Sequence, residues 1–205
     1  EGESLEARLT RRKPIEQREL LRSGREITKG LQAANEAGLV HRDIKPDNIW
    51  LENGNGGVKI LDFGLARPTY NNAEHSNAES TRDDMVFGTP RYMAPEQAKG
   101  QNVDHRADLF SLGCILYEIA SGRHAFKGNN ITATLIAVAQ AQPEPLASIG
   151  SAVHPSLRNL IDQLLSKTPD QRPATAADVY TLLTSIDEKL PSVPRDSTTN
   201  GLEES

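Results

Sequence analysis

Between Asp104 and Ser121 the chain carries Leu109, Phe110, Leu112, Ile115, Leu116, Tyr117 and Ile119, which cover almost every face of one helix. A helix apolar all round must be surrounded by other elements. The fold therefore has to be built around this segment. One acid, Asp108, lies inside it. A buried carboxylate needs donors; the alternative is that Asp108 caps the helix or faces solvent near its start.

The rest of the chain supplies elements that can do the surrounding. From Ile15 to about Ala37, Leu20, Ile27, Leu31 and Ala34 recur at helical spacing, and Gly38 is a C-terminal cap. Leu157, Leu160, Ile161, Leu164 and Leu165 form a second stripe. Val179, Leu182, Leu183 and Ile186 form a third, opened by Thr175 and Asp178 at capping-box spacing. Both stripes read as core. Short helices are expected over Ser4 to Arg12 and Ile131 to Val138, with Pro14 opening the long helix and Gln142-Pro143-Glu144-Pro145 breaking the chain after Val138. The expected class is mainly α, α+β overall. With 205 residues, 37% of them hydrophobic, one domain with a sizeable core is possible.

Composition narrows the function. A net charge of -5 argues against a general nucleic-acid or anionic-membrane binder. No apolar run reaches the roughly 18 residues of a membrane span, and no secretory signal is visible. Cys114 is the single cysteine, so no intrachain disulfide can form. It lies in an apolar run and reads as a buried, inert thiol in a reducing, cytoplasmic setting. His75, His105, His124 and His154 have no ligand spacing and read as surface residues. The first residue is Glu1, so the chain reads as an excerpt of something longer.

The chemistry concentrates in His41-Arg42-Asp43-Ile44-Lys45-Pro46-Asp47-Asn48. A possible base (Asp43), a cation (Lys45) and a carboxamide oxygen (Asn48) fall within six residues. Transfer of a phosphoryl group needs such a set: a carboxylate to orient the attacking hydroxyl, a cation against the phosphate, and an oxygen ligand for Mg²⁺. Ile49-Trp50-Leu51 then reads as a strand, Asn53 to Gly57 as a turn, and Val58 to Leu61 as the returning strand. This hairpin separates Asn48 from Asp62-Phe63-Gly64 and lets two oxygen ligands face one ion. The bland reading makes Asp43 and Asp62 ordinary solvated acids.

The loop resembles the catalytic loop of the eukaryotic-type protein kinases. Asp62-Phe63-Gly64 resembles their metal-binding triplet, and Ala94-Pro95-Glu96 the end of their activation segment. Lys45, two residues after Asp43, is similar to the serine/threonine class, and the style of the motifs to bacterial members. The resemblance implies the helical C-terminal lobe of a kinase fold over residues 1-188, with a polar tail over 189-205 expected to be disordered. It implies ATP and Mg²⁺ as cofactors and serine or threonine side chains of proteins as acceptors. By the same resemblance Asp43 orients the acceptor hydroxyl, Lys45 meets the phosphate, and Asn48 and Asp62 hold Mg²⁺. Arg42 would answer a phosphate in the activation segment, residues 65 to 87, whose hydroxyls include Thr69, Ser76, Ser80 and Thr81. Thr89 would contact Asp43 and Lys45. Asp108 would accept bonds from the backbone near His41 and Arg42. Arg172, in Lys167-Thr168-Pro169-Asp170-Gln171-Arg172-Pro173, would pair with Glu96.

The resemblance covers one lobe. No Gly-x-Gly-x-x-Gly precedes His41, and the forty residues upstream read as two helices rather than a twisted sheet. The small lobe is therefore expected to be absent from this chain, with no useful turnover from residues 1 to 205 alone. The alternative is a pseudokinase-like or remnant module that docks partners without catalysis. Trp50 falls where the family has an aliphatic residue under adenine, and either stacks on the base or fills the hairpin core.

Overall fold

The computed structural model describes residues 1-11, 15-53, 57-62, 67-68, 90-150 and 153-191. Pro14, Phe63, Gly64, Thr69, His75, Ser76, Ser80, Thr81, Thr89 and the tail from Ser192 lie outside these residues, so the expectations placed on them are not addressed by the structure.

The apolar segment forms α4, Arg106–Ser121, buried over Ala107 to Ile119 without a break. Gly122 ends it at φ +67, and its N–H bonds the Glu118 carbonyl at 2.8 Å. The elements around it follow from the stripes. α2, Gln17–Glu36, buries Leu20, Leu21, Ile27 and Leu31. Gly38 follows it at φ +72, where a Cβ would be strained. α6, Pro155–Leu164, buries Leu157, Leu160, Ile161 and Leu164. It crosses α4 closely at Gly113, where an added Cβ would sit 2.7 Å from the Leu164 Cβ. α7, Ala176–Glu188, starts on the capping box of Thr175 and Asp178 and packs on α2. Arg25 on α2 meets Asp187 on α7 at 2.6 Å. Leu182, expected in the core, is 42% exposed, because the stripe of α7 is wider than the face α2 covers. Beyond α7, Leu190 packs partly buried against the core, and Arg18 donates to the carbonyl of Pro191 at 2.7 Å.

The N-terminal stretch differs from expectation. Gly2–Ser4 is a strand, β1, before the short helix α1, Leu5–Thr10. β1 pairs antiparallel with β3, Ile49–Glu52, which pairs in turn with β4, Val58–Ile60. The expected two-stranded hairpin is thus part of a three-stranded sheet in the order β1-β3-β4. Three residues carry no readable strand period; the open edge of β3 supplies the partner that makes them a strand. A second small pair joins β2, Leu39–Val40, to β5, Arg67–Pro68. Two further helices, α3 (Pro95–Ala98) and α5 (Ile131–Gln140), lie against each other. Among the described residues no helix is long and apolar enough to cross a membrane.

Two buried polar contacts tie this frame to the polar loop. Asp108 is 1% exposed, and its carboxylate accepts from the backbone N–H of His41 and of Arg42, both at 2.8 Å. Burial pushes the carboxyl above its ordinary value, and the two N–H bonds pull it back. Arg172 closes the other end. Its guanidinium takes both oxygens of Glu96 at 2.7 and 2.8 Å and also donates to the carbonyls of Ser166 and Arg106 at 2.9 Å. Glu96 and Arg172 are both 5% exposed. Cys114 is buried as expected, and burial pushes its thiol up.

Removing one partner of the Glu96–Arg172 pair strands a buried charge. Arg172→Ala and Glu96→Ala are each expected to destabilise the fold by about 3 to 5 kcal/mol, while Arg172→Met with Glu96→Leu should lose less than the sum. Urea titrations of the four proteins check this, and an unperturbed Arg172→Ala midpoint contradicts it. Asp108→Asn turns an NH₂ toward one of the two backbone donors and should cost about 1 to 3 kcal/mol. Hydrogen exchange at the His41 and Arg42 amides should accelerate with it; unchanged protection there would count against the role assigned to Asp108.

Candidate active site

The polar loop leaves β2 and is bound at once by Asp108. Arg42 sits at φ +66, a left-handed conformation that an L residue holds at a cost of about 1 kcal/mol or more. Its peptide is clamped on both sides: the N–H goes to Asp108, and the carbonyl accepts from Gln97 Nε2 at 2.9 Å. Gln97 also accepts the Ala94 N–H at 3.0 Å, so one side chain joins the start of α3 to the loop. The Arg42 Nε is buried with no hydrogen-bond partner among the described residues.

His41 is fully buried. Its Nδ1 accepts the Asp43 N–H at 3.3 Å, which makes Nε2 the protonated nitrogen. Nε2 lies 3.1 Å from the Leu61 carbonyl, the natural acceptor for that proton. The Leu61 N–H in turn donates to the Asn48 carbonyl at 2.8 Å. Leu61 is thereby held from both sides by the loop, and Asp62 follows it at φ +60. Both left-handed non-glycine residues among those described lie in this site.

Asp43, Lys45 and Asn48 converge. Asp43 Oδ2 accepts from Lys45 Nζ at 2.7 Å and from Asn48 Nδ2 at 3.1 Å. Asn48 Nδ2 also donates to the Asp43 carbonyl at 2.8 Å. With its NH₂ committed to Asp43, Asn48 keeps its amide oxygen as the remaining polar atom. Pro46, at the start of a single 3-10 turn over Pro46–Asn48, sets this geometry with its fixed φ. Asp62 is exposed and reaches the site through the Leu61 backbone. Among the described residues no group of three acids, histidines or cysteines is placed to hold a metal by itself. Two hard oxygen donors with room for other ligands fit Mg²⁺, which is usually held by one or two side chains plus substrate phosphates.

The segment after Thr89 is anchored on α4. Ser111 Oγ donates to the Tyr92 carbonyl at 2.6 Å, and the Tyr92 hydroxyl donates to Glu118 at 2.5 Å. Burial and the Glu118 charge push the Tyr92 phenol up. His124, expected at the surface, is half-buried: its Nδ1 lies 3.0 Å from Glu118, and its Nε2 lies 2.9 Å from Arg91. His105 and His154 also have partners, the first at the Ala174 carbonyl and the second accepting from the Ser156 N–H at the start of α6. Trp50 is half-buried and lies against β1, where a Cβ on Gly2 would come within 2.6 Å of its Nε1.

Of the nine site residues named from the sequence, Asp43, Lys45 and Asn48 touch one another. Arg42 and Asp62 adjoin them through the backbone. Asp108, Glu96 and Arg172 act from beneath, and Thr89 lies outside the described residues. Gln97 and Ser111 escaped the sequence reading. Gln97 stands three residues after Ala94, a spacing at which a glutamine bonds back to a helix start, and that signal was available.

The protein kinase domain family model matches residues 1–181. Serine/threonine-protein kinase Pkn1 of Myxococcus xanthus is 41% identical over 155 residues, which is 74% of this chain and 22% of that protein. Serine/threonine-protein kinase pkn3 of the same organism is 35% identical over 204 residues, 96% of this chain and 37% of that protein. PknB of Mycolicibacterium smegmatis is 36% identical over 183 residues, 89% of this chain and 28% of that protein. The chain thus spans well under half the length of these curated relatives. With a family model over nearly the whole helical body, and with bacterial relatives of this identity, the chain belongs to the protein kinase family.

Proposed function

We propose that this chain is the larger lobe of a serine/threonine protein kinase domain, over residues 1-188, and that it serves transfer of the γ-phosphoryl group of ATP to protein hydroxyls. The observation that carries this reading is the contact of Asp43 with both Lys45 and Asn48, beside an Asp62 held through Leu61. A docking module without chemistry has no use for these four together.

Asp43 accepts the hydrogen bond of the acceptor hydroxyl, aims its oxygen and takes the proton late. Lys45, seated on Asp43, lies where charge gathers on the transferring group. Asn48 offers its amide oxygen and Asp62 its carboxylate to Mg²⁺. Held by these two oxygens, Mg²⁺ would supply positive charge against the phosphate. Most of the rate would come from positioning and fixed charge. The two strained residues, Arg42 and Asp62, are kept in shape by the clamps on their neighbours, so little has to reorganise when substrate arrives. Arg42 carries a positive charge beside the loop and suits a phosphate on the activation segment. Thr89, by its place in the motif, is the partner proposed for Asp43 and Lys45.

The test is transfer of labelled phosphate from ATP to a serine- or threonine-bearing protein by the full gene product. Asp43→Asn is expected to lower the rate by about 100-fold or more while the fold survives. Transfer undiminished in that variant would sink the assignment of Asp43. Absence of both transfer and nucleotide binding in the folded wild type would favour the docking module. Trp50 is the sole tryptophan of these 205 residues and lies in the strand after Asn48, so in this chain it can report on nucleotide. Its fluorescence should change on adding ATP with Mg²⁺, and Asp62→Asn should raise the Mg²⁺ concentration needed by about tenfold or more. An identical Mg²⁺ dependence in Asp62→Asn would remove Asp62 from the ion site.

A further inference from the structure

The Pro90–Tyr92 turn and the residue after it form one wall of the space beside Asp43. Tyr92 and Met93 line a cavity of about 20 Å³ together with Asp43 and Lys45. An acceptor chain aimed at Asp43 therefore has this turn as a neighbour. Ser111 holds the turn through the Tyr92 carbonyl, and Glu118 holds it through the Tyr92 hydroxyl. A third hold comes from His124, which the proposed transfer chemistry does not use.

His124 lies just past the end of α4 and touches the turn twice. Its Nε2 is 2.9 Å from Arg91 Nη1, and its ring meets the Tyr92 ring edge-on, with 6.4 Å between centroids. A guanidinium can only donate, so Nε2 is the acceptor. The ring is then neutral and carries its proton on Nδ1. Nδ1 lies 3.0 Å from Glu118 Oε1, out of line for a full hydrogen bond. Among the described residues the Arg91 side chain has no ion pair, so the imidazole is what holds it. The charged groups facing the imidazole are Glu118 from α4, Arg91 from the turn and Glu6 from α1, with Asp47 beyond Glu6. Arg123, next to it in the chain, reaches Glu144 instead. The Tyr92 phenol stays protonated, since burial pushes it up. The His124 side chain is 30% exposed, so protons reach it from solvent.

We propose that His124 is a positioning residue for phosphoryl transfer, which holds the acceptor-side turn through Arg91 only while its ring is neutral; this rests on the function proposed above and adds a control of the same site. A second proton would go on Nε2 and point at the guanidinium. Two donors cannot share one bond, and the like charges repel. Glu118 attracts the charged ring and draws it away from Arg91. The two neighbours thus select opposite forms, Arg91 the neutral ring and Glu118 the cation. The hold is complete on the alkaline side of the titration and is lost as pH falls through it. Histidine is the side chain whose ordinary titration falls between about pH 5 and 8. When the hold is lost, Ser111 and Glu118 still keep Tyr92 in place. The fold therefore survives, and only the Arg91 end of the turn is freed.

The experiment measures phosphate transfer to a serine-bearing protein by the full gene product, between about pH 5.5 and 8.5, for the wild type, His124→Ala and His124→Gln. Glutamine carries an acceptor oxygen and a donor nitrogen at nearly the spacing of the two ring nitrogens, and it does not titrate. At about pH 8, His124→Ala should raise KM for the acceptor protein about fivefold or more with KM for ATP unchanged, and His124→Gln should recover most of that loss. In the wild type, kcat/KM for the acceptor should fall through one protonation below neutrality. In His124→Gln that limb should be missing. A limb kept in His124→Gln overturns the proposal, as does an acceptor KM unmoved by His124→Ala. A second measurement needs no turnover. The Met93 N–H closes the turn on the Pro90 carbonyl at 3.2 Å. Its hydrogen exchange, corrected for the intrinsic pH dependence, should rise as pH falls in the wild type and stay flat in His124→Gln. A folded wild type that transfers nothing defeats the function proposed above. The exchange then decides the hold by itself, and a flat profile in both proteins overturns it.

Discussion

Asp108 has to be bonded because it is buried, and the donors it takes are two backbone N–H groups of the polar loop. An uncompensated carboxylate in that position would cost several kcal/mol, so the loop cannot leave α4 without loss. From that contact the rest of the site follows in sequence. Arg42 is held left-handed, Gln97 closes on its carbonyl, and His41 turns its ring to bind Leu61. Leu61 then brings β4 back against Asn48, and Asp62 comes next.

α4 thus acts as more than a filler of the core. Its first turns hold the polar loop through Asp108 and support Arg172 through the Arg106 carbonyl. Its middle holds the chain after Thr89 through Ser111, and its last turn does so through Glu118. A helix wrapped on all sides is stiff, because every side chain has packed neighbours and few alternative rotamers. Placing all the anchors on one stiff rod sets the loop, the β4 end and the Pro90–Tyr92 turn relative to one another. This suits a reaction whose rate depends mainly on position and charge.

Lys167 and Arg172 show how the same core accommodates cations. Both lie over the Phe110 ring, Lys167 over that of Phe126 as well, but only Arg172 has a carboxylate among the described residues. The guanidinium spreads its charge over a bidentate bond and two carbonyls. The ammonium has one carbonyl and two ring faces, and it yields its proton more readily. The pairing of Arg172 with Glu96 therefore leaves Lys167 as the titratable member of the set.

The sequence by itself determined the helices, because their apolar periods are long and their caps local: α2, α4, α6 and α7 are legible from leucine spacing, Gly38, and the Thr175–Asp178 box. It also determined the motif residues, since Asp43, Lys45 and Asn48 lie within six positions and one turn brings them together. Asp108, Glu96 and Arg172 were legible only through resemblance, because their partners lie 66 to 76 residues away. The tertiary structure alone decided the rest. β1 exists because β3 offers an edge. His124 is drawn inward by Glu118 and Arg91. Gln97 and His41 become clamps, and Lys167 loses basicity, through neighbours that no local pattern names. Periodicity is a property of consecutive residues, whereas burial and electrostatic environment belong to whatever the fold packs alongside.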